Sequence, residues 1–166
     1  MKNIKIIRPL LFVTALIFLT QFSLAQNAQT KPPLKSEATE NLIANRSFVF
    51  EANTMIPASG RTKQLTTSYS IIINNDSIVS DLPYFGRAYS APIGTADVGL
   101  SFTSTNFEYT VSQNKKSGWD ISIKLKDQQD VKQLWFTVFD NGTATLNVNS
   151  NNREAISFTG FIKDIR

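Results

Sequence analysis

The residues best placed to do chemistry lie in one segment, 81 to 99, which reads Asp-Leu-Pro-Tyr-Phe-Gly-Arg-Ala-Tyr-Ser-Ala-Pro-Ile-Gly-Thr-Ala-Asp-Val-Gly. Two Pro, three Gly, three aromatics, one Arg and two carboxylates occur there without apolar and polar alternation. Long connections of this kind are functional or disordered, and three aromatics argue against disorder. Two accounts of the segment stand side by side. In one, Tyr84, Phe85, Arg87 and Tyr89 converge on the mouth of a binding site, with Arg87 holding a carboxylate or phosphate by paired hydrogen bonds and Asp81 orienting Arg87. In the other, Pro83 stiffens a turn, Tyr84, Phe85 and Tyr89 plug one end of a sheet, Gly86 takes a backbone angle other residues resist, and Arg87 pairs with Asp81 or Asp97.

Elsewhere the sequence is more informative by what it lacks. It has no Cys and no His, which removes thiol catalysis, thiolate metal sites, disulfides, and the commonest general base and metal ligand. Carboxylate pairs such as Asp76 with Asp81, or Asp127 with Asp130, have the composition of a two-carboxylate hydrolase. Both lie beside turns, where Asp is favoured for local hydrogen bonds. No Asp-x-Asp-x-Asp calcium loop is present, and Gly94 and Gly99 lack the Gly-Lys-Ser/Thr ending of a phosphate loop. The sequence therefore predicts no catalytic residue, no metal and no cofactor.

The elements that must position segment 81 to 99 begin after an export signal. Lys2, Lys5 and Arg8 precede the apolar run 10 to 19, and small residues at Ser23 and Ala25 mark a cleavage site. The run is shorter than the roughly 20 apolar residues of a spanning helix, so no stable membrane insertion is expected once residues 1–25 are removed. Of 17 basic and 13 acidic residues, three basic ones lie in that signal, leaving a mature charge of +1. A nearly neutral surface gives no case for nucleic acid. Residues 26–35 are polar with a Pro pair and read as a flexible tether, and 36–166 as a single domain.

Ser36 is placed to cap a short helix with Ala38, Leu42 and Ile43 on its apolar face, stopping near Asn45. From residue 47 the period becomes two. Phe48, Phe50 and Ala52, then Tyr69, Ile71 and Ile73, then Phe107, Tyr109 and Val111, then Trp119, Ile121, Ile123 and Leu125 alternate with mostly polar residues. Strands follow at 133 to 139, 143 to 149 and 155 to 162, with turns at Asn74-Asn75-Asp76 and Asp140-Asn141-Gly142 and a longer hairpin loop at 113 to 118. This pattern predicts an all-β antiparallel sandwich or a meandering, lipocalin-like barrel of about eight or nine strands, with one short N-terminal helix. Trp135, Phe139 and Phe161 fall on the face opposite Phe136, Val138 and Phe158, which makes the helix the expected cover of that second apolar face.

The run Leu82-Pro83-Tyr84-Phe85-Gly86-Arg87-Ala88-Tyr89 resembles an exported bacterial family known as domain of unknown function 4251. Arg46-Ser47-Phe48-Val49-Phe50, Pro57-Ala58-Ser59-Gly60-Arg61, Asn141-Gly142 and Ile156-Ser157-Phe158-Thr159-Gly160 extend the likeness over roughly residues 37 to 162. The resemblance implies Gram-negative export, to the periplasm or beyond the cell, and a compact β-rich domain, with no activity or site residue to carry over. The expectation is an exported, non-catalytic domain that binds a small molecule or an envelope protein through Asp81, Tyr84, Phe85, Arg87 and Tyr89. A hydrolase of an envelope or dietary polymer and a structural envelope protein that associates through a sheet edge are the alternatives.

Overall fold

In the computed structural model, residues 36–89, 99–115 and 117–165 are described. Residues 1–35, on which the expected signal and tether fall, and residues 90–98 lie outside them. The two-residue period of the sequence becomes nine strands: β1 (Phe48–Pro57), β2 (Lys63–Asn74), β3 (Ser77–Leu82), β4 (Leu100–Ser104), β5 (Phe107–Gln113), β6 (Trp119–Leu125), β7 (Val131–Val138), β8 (Thr143–Ser150) and β9 (Ile156–Lys163). Every pairing is antiparallel, in the order β4-β3-β2-β1-β9-β8-β7-β6-β5. The result is a meander rolled into a nearly closed barrel, which decides between the two predicted architectures.

Closure rests on two features. The first is β1 against β9, which pairs Val49 with Lys163 and Phe50 with Ile162, and which the Lys163–Glu51 ion pair reinforces. The second is the passage from β4 to β5. These strands end opposite sides of the sheet, yet only Thr105 and Asn106 separate them. Counting alternating directions round the sheet gives β4 and β5 the same sense, so the chain does not reverse there. They are two halves of one bent strand, the first paired to β3 and the second to β6. Asp127 fastens the bend: its carboxylate accepts from the Ser104 hydroxyl and from the amides of Thr105 and Asn106 at 2.8 and 3.1 Å. These donors hold the Asp127 carboxyl down at about 2, the Ser104 hydroxyl having the largest effect.

Inward side chains fill the barrel. Phe48, Phe50, Phe136 and Phe158 are fully buried, and Phe136 takes the edges of Phe48 and Phe50 at centroid distances of 6.2 and 5.4 Å. Leu134, Leu146, Ile71 and Ile121 complete the layers. Among the described residues no helix is long and apolar enough to cross a membrane.

The helix α1 (Ser36–Ala44) forms where capping and periodicity place it, with Ile43 in the core and Leu42 packed against it, and Thr39 joins that inward face. Thr39 and Ile43, one helical turn apart, are its buried residues, and the Thr39 hydroxyl donates to Asp140 O at 3.1 Å. A polar residue is tolerated there because its hydrogen bond is made. This position also corrects the expected cover: α1 sits against the end of the barrel, and Trp135 and Phe139 remain 42% exposed on the outside. A helix of nine residues carries a stripe wide enough to stopper a barrel end, and the free carbonyl at Asp140 draws Thr39 to that place.

Candidate functional site

Segment 83 to 89 leaves the end of β3 at the barrel end opposite α1. Leu82, Pro83 and Tyr84 turn inward and are buried, and the Tyr84 ring closes this end as Ile43 closes the other. The Tyr84 hydroxyl lies 2.8 Å from Arg87 O and 3.1 Å from Glu154 O, with one proton to share between them. The backbone continues the attachment to the β8–β9 connection. Tyr89 N donates to Asn152 O at 2.7 Å, Glu154 N donates to Arg87 O at 3.0 Å, and Ala88 bridges Arg153. A short extra ladder therefore fixes residues 87–89 of a segment that the sequence reads as irregular.

Arg153 organises the surroundings. Its Nε pairs with Asp130 at 2.9 Å, Nη1 donates to Gly99 O at 2.8 Å, and the guanidinium lies 5.0 Å from the centre of the Tyr84 ring. One side chain thus touches both the outgoing and the returning end of the 83–99 loop. Gly99 completes this neck: at φ +53° with a Cβ position 2.6 Å from Leu82 O, it can be only glycine without a shift of backbone. Burial, and then the negative charge of Glu154, raise the Tyr84 hydroxyl above the ordinary tyrosine range. Asp130 Oδ1 and Glu154 Oε2 are buried without a hydrogen-bond partner among the described residues. A hollow of about 200 Å³ opens beside Gly99, Phe102, Gln128, Asp130 and Arg153.

The five residues singled out in the sequence divide. Tyr84 is structural anchorage, 5% exposed. Phe85 and Tyr89 are surface groups, 54% and 71% exposed, and the Lys63 ammonium sits 4.0 Å above the Phe85 ring. Arg87 is exposed and contributes its carbonyl to the ladder. Asp81 faces solvent on β3, opposite Ser70 and Ser101, and among the described residues no ion pair joins it to Arg87. Asp97, the other partner considered for Arg87, lies outside the described residues. The role expected of Gly86 changes as well. It takes no left-handed angle; what it needs is room, because a Cβ would lie 2.5 Å from the Tyr84 hydroxyl. Arg153, Glu154 and Lys63 escape sequence reading because they come from distant connections and strand ends, and nothing local marks them; Asp130, weighed there only as a partner of Asp127, pairs with Arg153 instead.

Among the described residues no three His, Cys, Asp or Glu side chains converge as metal ligands. Glu108 and Asp127 are both held below the ordinary carboxyl range, Glu108 by Lys126. A hydrolase of the two-carboxylate type needs one acid raised instead.

Residues 31–162 match the profile of a family described as Domain of unknown function (DUF4251). Among solved structures, the crystal structure of a DUF4251 family protein from Bacteroides eggerthii DSM 20697 is similar to this chain, at 16% sequence identity and a TM-score of 0.59. The likeness covers 82% of this chain and 91% of that one, and at such identity it carries the fold alone. The curated proteins compared contain no match.

Proposed function

The chain belongs to the DUF4251 family, and from that premise we propose that it is an exported, non-catalytic recognition domain whose binding surface is the loop end of the barrel. Phe85, Arg87 and Tyr89 make the contacts, Tyr84 anchors the loop from beneath, and Asp81 lies at the flank. The carrying observation is a division within a few residues: Tyr84 is buried and hydrogen-bonded, while Phe85 and Tyr89 stand out on a backbone pinned to residues 152–154. Exposed aromatics on a fixed backbone lose little entropy when a partner covers them, and Arg and Tyr are favoured anchors of binding surfaces. The filled barrel interior directs the reading to the outside of the domain rather than to a lipocalin-like cup. Export is supported by the charged, apolar and small-residue pattern of residues 1–25, upstream of the family match that starts at residue 31. The partner class is a small molecule or a protein of the envelope.

The test is a set of single substitutions, Phe85→Ala, Arg87→Ala and Tyr89→Ala. Each is expected to change stability by less than about 0.5 kcal/mol, as exposed positions do, and to abolish crosslinking of the purified domain to envelope components. Unchanged crosslinking with intact stability would show that the site lies elsewhere. Unfolding would show that the loop serves only to close the barrel.

A further inference from the structure

The meander ends on two edges, and they are treated differently. The edge of β4 is covered: Gln128 Nε2 donates to Thr103 O at 2.7 Å, and Asp127 takes up the amides that follow. Among the described residues the edge of β5 is bare. Residues Phe107–Gln113 pair with β6 on one side only, in an unbroken register. Glu108 and the run from Thr110 to Gln113 are all exposed. Natural sheets protect such edges with Lys, Pro or a bulge; β5 has none of these, and its one charge, Glu108, is engaged by Lys126 at 2.7 Å.

From this we infer that β5 is a self-association edge, pairing antiparallel with β5 of a second copy about a two-fold axis at Thr110. This register alone uses all seven residues of the strand. It sets Thr110 against its own copy, Tyr109 against Val111, Glu108 against Ser112 and Phe107 against Gln113. Thr–Thr and aromatic with β-branched pairs are favourable across strands, and no like charges oppose. Centring on Glu108 would set two carboxylates face to face, and centring on Tyr109 or Val111 would pair only five residues of the strand. The apolar contacts coincide with this edge. A hollow of about 390 Å³ between α1 and β5, lined by Ile43, Ala44, Tyr109, Val111 and Trp119 with Glu40 and Arg46 at its margin, lies along the face where the Tyr109–Val111 pairs form. An isologous dimer of this kind consumes the free edge and closes on itself, and it is independent of what binds at residues 85–89.

The experiment is sedimentation of the purified protein over a concentration series, with two kinds of variant. A reversible dimer is expected, weak because the contact is small. Thr110→Lys, which opposes two ammonium groups on the axis, should weaken it by about tenfold or more. Because the chain has no Cys, Thr110→Cys under mild oxidation should give a covalent dimer, its Cα atoms being within disulfide reach across the axis. Ser112→Cys, two residues off the axis, should crosslink much more slowly. A monomer at every concentration, a dimer indifferent to Thr110→Lys, or equal crosslinking at both cysteines would overturn the inference. If Thr110→Lys fails to fold, the ratio between the two cysteine variants decides the question.

Discussion

Each end of the barrel is held by a tyrosine under an arginine, with the guanidinium 5.0 Å from the ring centre in both cases. At the helix end Arg46 lies over Tyr109, whose hydroxyl donates to Ile43 O at 3.2 Å. At the loop end Arg153 lies over Tyr84. The likeness stops at the arginines. Arg46 is exposed, and among the described residues its guanidinium has only the ring beneath it, so the helix end depends on Ile43 and Thr39. Arg153 also holds Asp130 and Gly99 O, so the loop end depends on charge. One end is stoppered by apolar burial and the other by a polar clasp, and they should respond differently to the same kind of change.

The largest contrast is between the arginines. Arg153→Ala leaves Asp130 half-buried without its cation and is expected to cost about 2 to 4 kcal/mol, near the range for breaking a buried pair. Arg46→Ala should cost under about 1 kcal/mol, the worth of an exposed cation–π contact. Thermal unfolding of the two variants measures this, and equal losses would end the distinction between the ends. Next come the hydroxyls. Tyr84→Phe strips a donor from two carbonyls and should cost about 1 to 2 kcal/mol, while Tyr109→Phe, with one longer bond, should cost less. Denaturant midpoints at constant m separate them.

The smallest mutational effect is expected at Arg46 itself. It sits just beyond α1 at φ +49°, a left-handed position where Ser47 N reaches back to Leu42 O and Arg46 N to Ile43 O. Glycine is the usual residue there. Arg46→Gly should therefore be close to neutral, the relief of backbone strain offsetting the lost ring contact. A loss as large as that of Arg153→Ala would mean that Arg46 does far more than cover Tyr109.

Changes of pH test both ends at once. Burial raises the hydroxyls of Tyr84 and Tyr109 above their usual range. A raised group contributes fully below its unfolded value of about 10, and that contribution is lost as pH climbs past it. Melting temperature should fall above about pH 10, and Tyr84→Phe and Tyr109→Phe should each flatten part of the fall. Asp127 acts in the opposite direction. Its carboxyl is depressed to about 2, so its contribution is present above an unfolded value near 4 and lost as pH drops toward 2. Ser104→Ala should shift that acid loss toward higher pH by removing the largest cause of the depression.

Period-two alternation made most strands legible, because the barrel has an inside that must be apolar at every second residue. Ile121, Ile123 and Leu125 point where alternation places them. The Asp140-Asn141-Gly142 turn was legible for a local reason, Gly142 taking φ +82° and Asn141 Oδ1 accepting from Thr143 N. Segment 81 to 99 was legible as exceptional, but not in its internal division. Tyr84 and Phe85 are adjacent aromatics, and which one turns inward depends on carbonyls of residues 87 and 154 that no short window contains. Arg153 was invisible for the same reason. Its partners lie at Tyr84, Gly99 and Asp130, brought together only once β3, β4 and β7 are in place.

The pairing of β1 with β9 has a consequence in time. Every other pair joins strands that are neighbours in sequence, whereas Val49 meets Lys163 more than a hundred residues on. Local hairpins close quickly and distant ones slowly, so the half before the Thr105–Asn106 bend and the half after it can each form as a separate meander. Asp127 ties the halves together at the bend, and the barrel is completed only when the final strand arrives. If the chain is exported as proposed, that order would keep the domain pliable during passage and delay its setting to the moment of release.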